Sequence, residues 1–189
     1  MSDHTTGEDL RLLGDDCAHE ARVFVDMISA IATGEAPQAA LSMGLLGLSQ
    51  VLLMGARLGA MQDVVLAERF EPDPGPDVEL DGLRAGLAIL FEGLDDYADV
   101  VDPVTDATLT SGSLSNDLTV ITSALTHGLA HHEAGRIDEA LWWWQFSYLA
   151  DWGERAAMAL RVLHSLLAHV RLDADEDTVA EAEFDALHP

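Results

Sequence analysis

Apolar residues recur at steps of three and four along most of the chain. Between Glu8 and Thr33 they are Leu13, Cys17, Ala21, Phe24, Ile28 and Ile31, the spacing of one buried stripe on a helix. Gly34 stands where a helix C-cap glycine belongs. Pro37 follows in a first helical turn, where a missing N–H costs nothing. The next helix runs to about Met61 and is apolar nearly all round, which predicts that other helices surround it. Along it Gly47, Val51, Gly55 and Gly59 repeat every four residues, a narrow stripe that lets a neighbouring backbone come close.

The pattern breaks from Asp63 to Glu79, where Pro72, Pro74, Gly75 and Pro76 predict an acidic loop with extended pieces. Val64, Val65, Leu66 and Phe70 are expected to pin it to the bundle. Leu83, Leu87, Leu90, Leu94 and Tyr97 then predict a third helix over Leu80–Val100. A second loop covers Val101–Gly112, with Pro103 as breaker. A fourth helix starts near Ser113 or Ser115, both good N-caps, and ends before Gly135. A long fifth helix spans Ile137–Val170 and a sixth Asp175–Leu187. The expected fold is all-α: a single domain over residues 1–189, a bundle of five or six helices with one long Pro/Gly-rich acidic loop. Residues 1–7 read as a disordered tail and residues 171–189 as a C-terminal helical appendage. The helix ending at Met61 and the first half of the fifth helix should be most buried.

Charge narrows the function classes. The 189 residues hold 9 basic and 34 acidic side chains, a formal charge of −25, and every basic residue is arginine. Direct binding to nucleic acid or an anionic membrane needs clustered cations, so neither is expected. The acids cluster between Asp63 and Asp106 and again between Asp173 and Asp185, while residues 36–62 carry none. They read as a solvated surface; a partner with a basic patch, nucleic-acid mimicry and adaptation to salt are sharper alternatives. The single cysteine, Cys17, forbids an internal disulfide or a cysteine-built zinc cage. The acidic first twenty residues do not resemble a signal peptide. Arg57 and Gln50 interrupt the one stretch apolar enough to span a bilayer. A cytoplasmic protein is expected.

Three groups carry candidate chemistry. Trp142, Trp143 and Trp144 are consecutive and on a helix sweep roughly 200°, so one neighbour cannot cover them all. Trp142 shares a face with Phe146, Leu149, Leu160 and Leu163, the expected core stripe. Trp143, Trp144, Tyr148 and Arg155 are the candidate anchor for a protein partner. Arg57 and Gln50, two turns apart in the apolar helix, form with Asp151 a candidate pocket for a small anionic ligand. His127 and His131, at i and i+4, share a face and are the candidates should a metal be bound, given a third ligand from Asp151, Glu154, His164 or another helix; surface exposure or hydrogen-bonded packing is the alternative. No cofactor is expected. Cys17, His19 and Glu20 do not form a nucleophilic triad, and no phosphate-binding glycine loop or nucleophile elbow occurs.

The stretches Ser49–Ala60, Glu68–Asp73, Glu139–Leu149 with Trp152-Gly153, and Ala168–Asp173 resemble an actinobacterial family of domains of unknown function, numbered 5063. The likeness runs from about Ala21 to the end. It implies an all-helical, cytosolic bacterial protein and carries over no catalytic residue. The leading expectation is a non-enzymatic helical interaction or adaptor protein with an acidic surface and a tryptophan-rich anchor; a homodimer is compatible with the apolar helices. The alternative is a bundle-pocket protein that binds a small anionic ligand or a metal, with enzymatic activity left open.

Overall fold

The computed structural model describes residues 2–35, 37–66, 71–73, 75, 78–102 and 104–172. The elements in order are α1 (Ser2–Ala32), a 3-10 turn (Pro37–Ala39), α2 (Ala40–Ala60), α3 (Asp81–Leu90), β1 (Asp96–Asp102), β2 (Asp106–Ser113), α4 (Leu114–Glu133), α5 (Ile137–Ser147), a π-helical turn (Tyr148–Trp152) and α6 (Gly153–Leu172). Because α5 runs through the π turn into α6, the helices among the described residues form five rods. The expected sixth helix, Asp175–Leu187, lies outside the described residues, as do Phe70 and most of the proposed appendage. The helix α1 begins at Ser2, where a disordered tail was expected.

The stripe read along α1 packs inward, with Cys17, Ala21, Phe24 and Ile28 almost fully buried. Gly34 takes a positive φ and closes α1, as Glu35 N–H donates to Ala30 O across the turn. The most central element is α4, which touches α1, α3, α5 and α6 and buries Leu114, Leu118, Ile121, Leu125 and Leu129. The expectation that α2 and the start of α5 would be most enclosed is thereby corrected. Pro37–Ala60 is long and apolar enough to cross a membrane by length and composition; here it packs on α1 and α6 and leaves Leu46 and Leu53 exposed. Its glycine stripe accommodates side chains rather than a backbone: Gly47 faces Phe24 and Met27, and Gly55 faces the Tyr148 and Trp152 rings.

Two expectations fail for local reasons. The helix expected over Leu80–Val100 stops at Leu90, because Gly93 turns the chain at a φ of 80°. The chain continues as an antiparallel hairpin, with Tyr97 opposite Gly112 and Val100 opposite Leu109, so the fold is helical but not all-α. Asp95 ties the hairpin to α4: its carboxylate accepts Ser115 N–H (2.7 Å) and the Ser113 and Ser115 hydroxyls (2.9 and 2.8 Å). A carboxylate at a helix N-terminus also meets the positive end of the dipole.

The second failure is the core stripe drawn through Trp142, Phe146 and Leu149. Phe146 is 51% and Leu149 63% exposed. The π turn adds a residue to the helical repeat and rotates what precedes it. The buried row Ala156, Ala159 and Leu163 therefore continues back through Trp152, Trp144 and Leu141.

Trp144 is fully buried, and a Cβ on Gly128 of α4 would overlap its indole. We expect Gly128→Ala to destabilise by about 1–3 kcal/mol in urea denaturation. Gly82→Ala, whose added Cβ meets nothing within 4 Å, should be neutral or stabilising by about 0.5–1 kcal/mol. Burial pushes the Cys17 thiol up to about 12; Arg57 opposes this, and Asp16 and Glu20 add to it. The folded state thus favours the neutral thiol, and the stabilisation is complete below the unfolded value of 9.0 and is lost as pH rises towards 12. The urea midpoint should fall across that window more steeply in the parent than in Cys17→Ala. The native thiol should ignore a thiol reagent that labels the denatured chain at once.

Candidate functional site

The outward face of α5 is apolar and borders an open groove of about 890 Å³. Trp142, Phe146 and Leu149 form one side, and Val64, Val65 and Leu66 form the other. The Trp142 and Phe146 rings lie parallel, with centroids 5.4 Å apart and planes within 2°. A buried amide holds the two sides in register. Gln145 accepts Val64 N–H through Oε1 (2.8 Å) and donates through Nε2 to Leu58 O (2.8 Å) and Gln62 O (3.3 Å). The chain leaving α2 is thus stitched to α5 by one side chain that satisfies three backbone groups.

The same chain carries Glu71, which lines the groove and also reaches α4. His127 and His131 both place Nε2 on Glu71 Oε1, at 2.7 and 2.6 Å. Both rings thus turn the same nitrogen to a single carboxylate oxygen. The Trp143 ring lies on His127, with centroids 4.0 Å apart, and its Nε1–H donates to Ala124 O (2.8 Å). His131 is completely buried, and its Nδ1 has no hydrogen-bond partner among the described residues. The donor atoms of Glu71, His127 and His131 lie within 4.8 Å of one another. Among the sequence candidates this pair gains the third residue it needed. Glu71 itself was missed, because nothing local in a proline-rich acidic loop ties one acid to a helix some sixty positions further on.

A second polar cluster joins the hairpin, α4 and α6. Buried Asp117 accepts the Tyr97 hydroxyl and Arg155 Nη1–H (2.8 Å), and Arg155 Nε–H also donates to Asp151 (2.6 Å). Burial, then the hydrogen bond to Asp117, raises the Tyr97 hydroxyl far above the usual tyrosine range. Every member has a partner, so the cluster acts as a clamp on the hairpin.

The anchor expected from Trp143, Trp144, Tyr148 and Arg155 does not form a surface. Trp144 is enclosed, and its Nε1–H donates to Leu125 O. Trp143 is half-buried over His127, the Tyr148 ring packs on Trp152 and against Gly55, and Arg155 belongs to the hairpin clamp. The anion pocket is also divided. Arg57 lies near the surface and pairs with Asp16 of α1 (3.5 Å), Asp151 pairs with Arg155, and Gln50 is half-buried. A guanidinium with solvent and a carboxylate at hand needs no ligand anion.

These features sit on a fold seen before. The crystal structure of protein BF1032 from Bacteroides fragilis superposes with a TM-score of 0.63 at 16% identity, over 84% of this chain and 92% of that one. At that identity the likeness concerns the fold alone. No curated protein matches the chain. The family model of DUF5063, a domain of unknown function, matches residues 10–169, and the chain belongs to that family.

Gln145→Leu removes all three stitches while keeping side-chain bulk. We expect a loss of about 1–3 kcal/mol. We also expect faster proteolysis near Val64 than in the parent under native conditions, read by mass spectrometry of the fragments.

Proposed function

We propose that this protein is a helical interaction module whose groove takes an apolar segment, flanked by basic residues, from a partner protein. The observation that supports the reading is the row Trp142, Phe146 and Leu149. It is an aromatic and aliphatic surface, two of its side chains more than half exposed, facing a groove instead of a core. Contiguous exposed apolar surface rimmed by polar groups marks interaction sites. The basic flanks follow from charge. Asp63 and Glu71 line the groove, and three acids (Glu79, Asp81 and Asp151) against one base (Arg84) line the depression adjoining Phe146. The whole chain carries −25, a field that draws in a cationic partner and repels a second copy of itself. The proposed anchor therefore lies one helical face away from that of Trp144.

Peptide phage display against the full chain tests the reading. Enriched peptides should combine apolar anchors with basic flanks and bind less tightly as salt rises. The double variant Phe146→Asp/Leu149→Asp alters two exposed side chains, so it should remain folded. It should weaken binding by at least about tenfold, or 1.4 kcal/mol. Peptides without basic flanks, or affinity indifferent to the variant, would overturn the reading. So would concentration-dependent dimerisation that the same variant abolishes, which would assign the face to a second copy.

A further inference from the structure

The geometry points to a binding site for one divalent transition-metal ion, of the zinc class, at Glu71, His127 and His131. The inference is independent of the groove's occupant. Three observations carry it.

The first is convergence. Two imidazoles one helical turn apart on α4 and a carboxylate from the loop aim single donor atoms at one point, with both Nε2 atoms within 2.7 Å of the same oxygen. Zinc bonds of about 2.0–2.2 Å in tetrahedral array would set these atoms about 3.4 Å apart. The two contacts to Glu71 are shorter than that spacing, and all three donor atoms lie within 4.8 Å of one another. Lengthening each contact to Glu71 by about 0.7–0.8 Å reaches that spacing.

The second is the donor set. Two imidazoles and one carboxylate suit zinc and its first-row neighbours, whereas magnesium and calcium seek oxygen-only shells. Three protein ligands leave at least one coordination position for water or a ligand atom. Glu71 also lines the groove, so its side chain connects the two sites.

The third is preorganisation. His131 is enclosed on α4, and His127 is held by the Trp143 ring, itself fixed to Ala124 O. Neither ring pays the usual entropy of ordering when a metal binds. A neutral imidazole ligated through Nε2 carries its proton on Nδ1. His131 Nδ1, which has no partner among the described residues, then becomes an unpaired N–H. Loss of that outer hydrogen bond typically costs 10–100-fold in affinity, so binding in the micromolar range is expected, not the tightness of a closed structural site.

The test uses the untagged full-length chain, stripped with chelator and held in excess Mg²⁺ so that surface carboxylates are occupied. Zn²⁺ is titrated by calorimetry and Co²⁺ by its visible absorption. We expect one ion of either metal per chain. Glu71→Gln keeps the shape of the side chain and its hydrogen-bonding capacity but removes the anionic ligand. It and His127→Ala should each weaken binding by at least about tenfold, with unchanged far-ultraviolet circular dichroism. His164→Ala, on the exposed side of α6, should leave affinity unchanged. No stoichiometric site in the presence of Mg²⁺ would overturn the proposal and leave a hydrogen-bonded cluster. Binding that survives both Glu71→Gln and His127→Ala, or that His164→Ala weakens equally, would do the same.

Discussion

The insertion of the Trp144 indole against Gly128 sets the orientation of α5. With no side chain on Gly128, α4 leaves room for a large ring that is fully buried and donates Nε1–H to Leu125 O. Once that ring is fixed, its neighbours have no choice. Successive residues on a helix are turned by about 100°, so Trp143 must lie over His127 and Trp142 must face the groove. One contact thus assigns three consecutive tryptophans to three tasks: core, histidine cluster and open surface. The π turn at Tyr148–Trp152 then rotates α6 so that Trp152 and Leu163 return to the core behind Trp144.

The loop after α2 depends on that orientation. Gln145 follows Trp144, so its amide faces Leu58, Gln62 and Val64, and it binds backbone groups that would otherwise need water. Beyond this stitch the chain delivers Glu71 to the two histidines. Groove and cluster therefore share one segment and one acid. Anything that draws Glu71 towards a cation at the histidines acts on a wall of the groove as well. An occupant of the groove and a cation at the histidines would each meet the same carboxylate.

The legible parts of the sequence were those in which local pattern and tertiary environment agree. In α1 the three–four stripe is the buried face, and α4 begins at Ser113, whose side chain accepts Asn116 N–H as an N-cap. The spacing of His127 and His131 also placed both on one side of their helix. The hairpin was hidden because Leu83, Leu87, Leu90 and Leu94 continue a helical period past the point where Gly93 turns the backbone. The core face of α5 was misassigned because periodicity extrapolates a constant 3.6 residues per turn, and a π turn breaks the count. Trp142, Phe146 and Leu149 fit the apolar template as well as Leu141 and Trp144 do; only the inserted residue decides which row is inside. Glu71 carries no pattern at all, since its role exists only when the loop is folded back.

Charge ties these features together in a further way. A chain of −25 gathers cations of every kind, so weak divalent-ion binding on its surface is to be expected whatever the fold. Such binding is diffuse and favours hard ions on carboxylates. Imidazole nitrogen changes the selection, because it holds zinc-class ions that magnesium at higher concentration does not displace from nitrogen ligands. The acidic field would then raise the local supply of ions while the two histidines do the choosing. On the proposed reading, the same field would draw basic segments towards the groove, and its apolar floor would select among them. In both proposals long-range charge would govern encounter, and a few short-range contacts set by the rotation of α5 would govern what stays bound.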